Sequence, residues 1–235
     1  MGKTKGSRGY WADHKYRRRS VKPDEDSTIK DFVIKTFCGW STLERYINQP
    51  KEVIHKALRA IAFCTGGRAT EVLSLQDSQF SFEVKRMTDI TQNGEVISHP
   101  VKFIIVSGMP VLKQSTLVFR SFPIRQDEPA TKWMLAWLAI RRQQLEEGKG
   151  IKWSDGSERL FPFGYDWMYK WITKDAPNWW PHRLRAERAS QLAIEYNYSV
   201  PRLMTWFKWE SSDMPTHYAS MNVSDLVAGM SKGLI

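Results

Sequence analysis

Five side chains in this sequence have the types and the order to act together on a phosphate. His182 and Arg185 stand three residues apart, a spacing that puts both on one face of a helix. Trp209 and Tyr218 follow on a second short helical segment, nine residues apart, and Arg68 lies far upstream in TGGRATEVLSL, Thr65 to Leu75. A phenol of ordinary pKa, about 10, is a weak nucleophile near neutral pH unless a base or a nearby positive charge helps it. His182 is of the right type for that base. Two guanidiniums present planar forks of donors that match a phosphate and keep their protons, and an indole N–H donates without accepting or titrating. Taken singly, each residue has a plainer reading: Arg68 and Arg185 as surface helix charges, His182 as a cap beside Pro181, Tyr218 as an ordinary half-buried tyrosine. The ordered set of five favours chemistry.

That set, Arg…His-x-x-Arg…Trp…Tyr, resembles the active-site signature of the tyrosine recombinase/phage integrase family, over roughly Glu52 to Ser220. TGGRATEVLSL is similar to the family's first box, HRLR to its His-x-x-Arg box, and the Trp209-to-Tyr218 interval to its interval before the nucleophile. Two positions depart from the pattern. Gly67 stands where the family prefers an apolar residue, and Ala186 where a second histidine often follows, which marks a divergent member. The resemblance implies a mainly α catalytic domain with a small antiparallel sheet, and a site-specific recombinase or integrase that breaks and rejoins double-stranded DNA through a 3′-phosphotyrosyl bond at Tyr218. Arg68 and Arg185 would hold the phosphate, with Glu71 in support, His182 would act as base, and Trp209 would hold the phosphate and pack the site. A lysine on a sheet hairpin would protonate the leaving 5′ oxygen; Lys113 in GMPVLKQSTLVFRSFPI is the choice and Lys102 the fallback, since the spacing to the family's Arg-x-x-Pro differs here. No cofactor is expected. Rejoining by transesterification needs neither ATP nor metal, and the sequence has no Gly-x-x-x-x-Gly-Lys-Ser/Thr loop and no clustered metal-type carboxylates. A type IB topoisomerase-like relaxing enzyme would use almost the same residues; a non-catalytic basic DNA-binding accessory protein, which would bind DNA with a steep salt slope but not cleave it, is the other alternative.

The charge balance agrees with such a partner. The chain has 35 Lys+Arg against 25 Asp+Glu among 235 residues, a formal net charge of +10, which favours a polyanion. Residues 1–22 hold eight basic residues and one acid, so most of the excess sits there. Residues 1–27 therefore read as a basic flexible arm, with Lys15, Arg17, Arg18 and Arg19 placed to follow a DNA backbone; a solubilising tail or targeting signal is the plainer alternative. Without an 18-residue apolar run or an apolar leader, the expectation is an intracellular, DNA-associated protein with no membrane partner and no small-molecule substrate. Cys38 and Cys64 form no ligand pattern.

The elements that must position these groups follow from period and punctuation. Apolar residues from Ile29 to Ile47 recur at helical spacing, with a start near Ser41-Thr42 and a stop at Pro50. Val53, Ile54, Ala57, Leu58, Ile61 and Ala62 make a core-facing helix that Gly66-Gly67 ends. Phe80–Val84, Val96–Val106 and Leu117–Phe122 read as three strands, with turns at Asn93-Gly94 and Ser107-Gly108. Pro129 to Glu147 returns to helix with Trp133, Ala136, Trp137, Ile140 and Leu145 inward, and the many tryptophans read mainly as core. The domain thus spans residues 28–220, with about 50 residues ahead of the first box where the family usually has a larger helical domain. Residues 221–235 form a tail whose stripe Val223, Leu226, Val227 and Met230 is helical in period. In the family such a tail docks on a neighbouring protomer, and a dimer or tetramer on DNA is expected.

Overall fold

The computed structural model describes residues 37–90, 95–111, 118–150 and 156–219. The basic arm with Lys15, Arg17, Arg18 and Arg19, the hairpin residue Lys113, the Asn93-Gly94 turn and the stripe from Val223 to Met230 lie outside them. The described part is mainly helical with one three-stranded antiparallel sheet, in the strand order β1-β2-β3.

The chain opens with α1, Trp40–Asn48, and α2, Val53–Thr65. α1 starts at Gly39 rather than at Ser41-Thr42. α2 is the central element: its residues from Ala57 to Thr65 are all buried, and α1, α4, α5 and α6 pack around it. A helix enclosed on nearly all sides needs apolar residues all round, and the run ALRAIAFCT supplies them apart from Thr65, whose hydroxyl donates to the Ile61 carbonyl, and one charged exception. That exception, Arg59, donates to the carbonyls of Tyr46, Trp171 and Lys174, so a buried cation binds the helix C-termini that surround it. Gly66 then ends α2 in the left-handed conformation, φ 56°.

After the short α3, Ala69–Leu73, and a 3-10 turn at Asp77–Gln79, the sheet runs through β1, Phe80–Ile90, β2, Val96–Val111, and β3, Val118–Arg125. β1 and β2 are longer than the alternation suggests. Ser107-Gly108 makes no turn: the register shifts between Val106 and Met109, so the glycine at φ 65° sits in a bulge inside β2. The strand continues past it because Met109 and Val111 still face the core.

The remaining helices are α4, Thr131–Glu146, α5, Tyr165–Thr173, α6, Pro181–Ile194, α7, Val200–Phe207, and α8, Asp213–Ala219. On α4 the buried residues are Thr131, Met134, Trp137, Leu138 and Arg141; of the others expected inward, Trp133 and Ile140 pack against the core while only partly buried, and Ala136 and Leu145 are half-buried. Trp133 turns toward the edge because its indole N–H finds Asn48 at 2.6 Å. α6 is buried along most of its length, between α2, α7 and α8. No described helix is long and apolar enough to cross a membrane.

Candidate active site

The site forms where the C-terminal end of α2 meets α3, α6 and the bulged part of the sheet. Its centre is Glu71, fully buried on α3. The Arg68 backbone N–H and Nη1 donate to its two oxygens at 3.0 and 2.7 Å, Arg120 Nη2 approaches at 3.5 Å and Arg185 Nη1 at 3.8 Å. Burial alone pushes the Glu71 carboxyl up; Arg120 and Arg185, then the bonds from Arg68, outweigh it and hold the group below the usual carboxylate range. One carboxylate thus serves three guanidiniums. The local balance is two positive charges in excess.

Each guanidinium is placed by its own element. Arg68 caps α3 and leaves about a quarter of its side chain open to solvent. Arg185, 2% exposed, donates to the Gly66 carbonyl at 2.6 Å and lies over the Phe207 and Trp209 rings. Burial first, and then the neighbouring Arg120, pull its pKa down to about 9 despite Glu71. Arg120, on β3, donates to the Trp206 carbonyl and contacts the Met109 sulfur; burial likewise lowers it to about 10. The two glycines make the convergence sterically possible. A Cβ on Gly66 would strike the Phe207 ring, and one on Gly67 would strike Met109 and Val72. Gly67 therefore departs from an apolar residue because Met109 already fills that space.

The aromatic side of the site carries the phenol. α7 ends at Phe207, Lys208 adopts φ 51°, and Trp209 lies in the connection to α8. Trp209 and Tyr218 are thus not on one helical segment as their spacing suggests. The break lets the chain fold back, so the two rings stack with centroids 5.7 Å apart and planes 6° apart, and Trp209 stacks in turn on Phe207. Tyr218 is 8% exposed. Burial raises its phenol, and the Arg185 guanidinium acts the other way.

Of the residues expected from sequence, Arg68, Glu71, Arg185, Trp209 and Tyr218 come together. His182 stands at the second position of α6, one turn before Arg185, but the two do not share an environment: His182 is exposed and Arg185 is buried. α6 is enclosed without a break from Leu184 to Leu192, so His182 in its first turn lies ahead of the buried stretch that holds Arg185. Lys102 is exposed on β2, seven residues from Met109, or roughly 23 Å of strand from the cluster. Lys102 is thus not among the residues that the fold brings together at Glu71. Arg120 is the one member that sequence reading missed; Arg120-Ser-Phe-Pro123 is the Arg-x-x-Pro pattern itself and was its signal. Among the described residues no cluster of His, Cys, Asp and Glu has metal-binding geometry.

No protein-family model matches the chain, and no curated protein matches it in sequence. Among solved structures, it is similar to the XerA recombinase, with 16% identity and a TM-score of 0.54, covering 84% of this chain and 65% of that one. It is also similar to the XerH site-specific recombinase in a pre-cleavage complex with difH substrate, with 15% identity and a TM-score of 0.51, covering 82% and 52%. The post-cleavage XerH complex gives 16% and 0.53, over 84% and 54%. The chain therefore spans between about half and two thirds of the length of these structures. What this likeness establishes is a shared fold.

Proposed function

We propose that this chain, which has the catalytic-domain fold of the tyrosine recombinases, is a DNA strand-transfer enzyme of that kind, with Tyr218 as nucleophile. The observation that carries the reading is the uneven cluster at Glu71: three guanidiniums held on one buried carboxylate, with Arg68 partly open and the Tyr218 ring in the field of Arg185. A buried excess of positive charge is costly unless an anion joins it, and a phosphodiester supplies one.

In this reading a phosphate enters beside Arg68, and Arg68 and Arg185 take its non-bridging oxygens, where charge grows in the transition state. The Tyr218 oxygen attacks phosphorus while its proton passes to a base, the part that the sequence pattern gives to His182, whose exposed ring at the start of α6 has to close on the phosphate together with Tyr218. The bond from phosphorus to the 5′ oxygen breaks, and that oxygen takes a proton from Lys113. The products are a 3′-phosphotyrosyl link and a free 5′-hydroxyl; attack by the hydroxyl of another strand reverses the steps. Tyr218 is closed in at rest, so α8 shifts when DNA arrives. Arg120 stays behind the reacting groups and holds Glu71, which holds the other two arginines. The partner is double-stranded DNA, reached by the arm as well as the site, and exchange between two sites requires more than one copy.

A pool of duplexes, nicked one nucleotide from the scissile position and randomised in sequence, traps such a link because the short 5′ product diffuses away. The expected result is a covalent protein–DNA band on a denaturing gel that Tyr218→Phe abolishes while salt-dependent DNA binding persists. A band that survives the substitution refutes the assignment.

A further inference from the structure

Among the described residues β1 is an edge strand along its whole length, and β3 joins the sheet only from Phe103 onward. The Gln126 N–H still reaches the Lys102 carbonyl at 2.9 Å, so the rungs from Lys85–Val101 outward belong to a two-stranded ribbon, an arrangement that is marginal in water without a further layer or strand. The exposed residues of β1 include Phe82 at 44% and Val84 at 65%. The Phe80 carbonyl accepts from Arg142 on α4, so it points away from β2. By the period of two, the backbone donors and acceptors of Phe82, Val84 and Arg86 point outward as well.

We propose that this edge pairs with the same edge of a second copy, antiparallel about a twofold axis at Val84. The sequence of the strand is self-complementary about that residue. Val84 then faces its own copy in a hydrogen-bonded pair, Phe82 faces Arg86 twice, and Glu83 faces Lys85 twice. The two Glu83–Lys85 pairs fall at non-hydrogen-bonded positions, where opposed side chains are closest. Glu83 and Lys85 lie 3.1 Å apart within one chain, with both side chains about half exposed or more, so they reach a partner by small rotations. Moving the axis to Arg86 sets guanidinium against guanidinium. Moving it to Phe82 drives the second copy toward α4, where Arg142 covers the Phe82 ring and holds the Phe80 carbonyl. Charges on an edge strand ordinarily block pairing; here they select one register. The surface is an isologous interface for a second copy of this chain, independent of the DNA-cleavage reading.

The test uses the full chain without DNA, in sedimentation equilibrium, and a charge exchange. The parent is expected to dimerise. Glu83→Lys and Lys85→Glu should each weaken self-association roughly tenfold, since each sets like charges opposite one another twice per dimer. Mixed in equal amounts, the two variants should associate with each other as tightly as the parent does with itself, because every opposed pair is again of opposite sign. Both positions are exposed, and unchanged circular dichroism and melting of each variant would verify that the fold is kept. A monomeric parent, single variants that associate like the parent, or a mixture no tighter than either variant alone would each overturn the proposal.

Discussion

Two buried ionic clusters sit one turn apart on α6, and they are built to opposite ends. Around Arg188 the charges close: Nη1 meets Glu128 at 2.7 Å and Gln191 at 2.7 Å, and the Tyr196 hydroxyl donates to the other Glu128 oxygen. Burial opposes the Arg188 charge, but Glu128, with Cys64 and Tyr196 adding to it, holds its pKa above the ordinary range. Around Arg185 the balance is three to one, and the guanidinium is pulled down to about 9. Burial is nearly the same in both places. The ratio of carboxylates to guanidiniums differs, and it separates a closed ion pair from a cluster left with positive charge in excess, the excess that the proposed reading assigns to a phosphate.

The largest effect that would sharpen this contrast is at Glu128. Glu128→Ala leaves Arg188 buried without its countercharge and should lower stability by about 3–5 kcal/mol in urea denaturation, with DNA giving no specific recovery. Glu71→Gln also removes a countercharge, but there the DNA phosphate takes its place, so added DNA should recover part of the loss. Equal behaviour of the two variants would break the distinction.

Next in size are the arginines themselves. Arg185→Met should lower the rate of covalent DNA attachment on the order of 10²–10³ in a folded protein. Arg188→Met should instead reduce the folded fraction and leave the rate per folded molecule near the parent's, as thermal melting and adduct formation together would reveal. Arg120→Met tests the connection between sheet and site. A residue that acts by holding Glu71 should cost roughly tenfold in rate, by analogy with outer-shell partners of other charged sites, while the salt slope of DNA binding stays unchanged.

The smallest expected effect is on anion binding with pH. Inorganic phosphate at several times its Kd should stabilise the protein by about 1 kcal/mol, and Arg185→Met should remove that gain. Since the folded pKa of Arg185 is lowered, the folded state holds this proton less firmly than the unfolded chain. Its burial penalty is full below about pH 9 and is relieved as pH rises through that value. Phosphate, which needs the charge, should therefore stabilise less as pH passes about 9, whereas the Arg188 cluster, held in the other direction, should not respond there.

Much of this was legible in the residues alone. The helical period of α2, the left-handed stop at Gly66 and the β-branched strands follow from local stereochemistry, which acts over a few residues and is written in them. The order Arg68, Glu71, Arg185, Trp209 and Tyr218 was likewise readable, because chemistry fixes residue type. What local rules could not decide was which side a residue faces once neighbours arrive. Ser107-Gly108 reads as a turn, but Met109 and Val111 have core to fill, so the strand bulges and continues. His182 and Arg185 have the spacing of a shared face, but α6 is enclosed over one and open over the other. Arg120 joins the site only through the pairing of β3 with β2, which brings it beside Met109 and Glu71 from 49 residues away. The sequence by itself determined the chemical groups and most elements; only the tertiary structure decided their charge balance, because three guanidiniums from separate elements share one carboxylate only when packing brings them within its field.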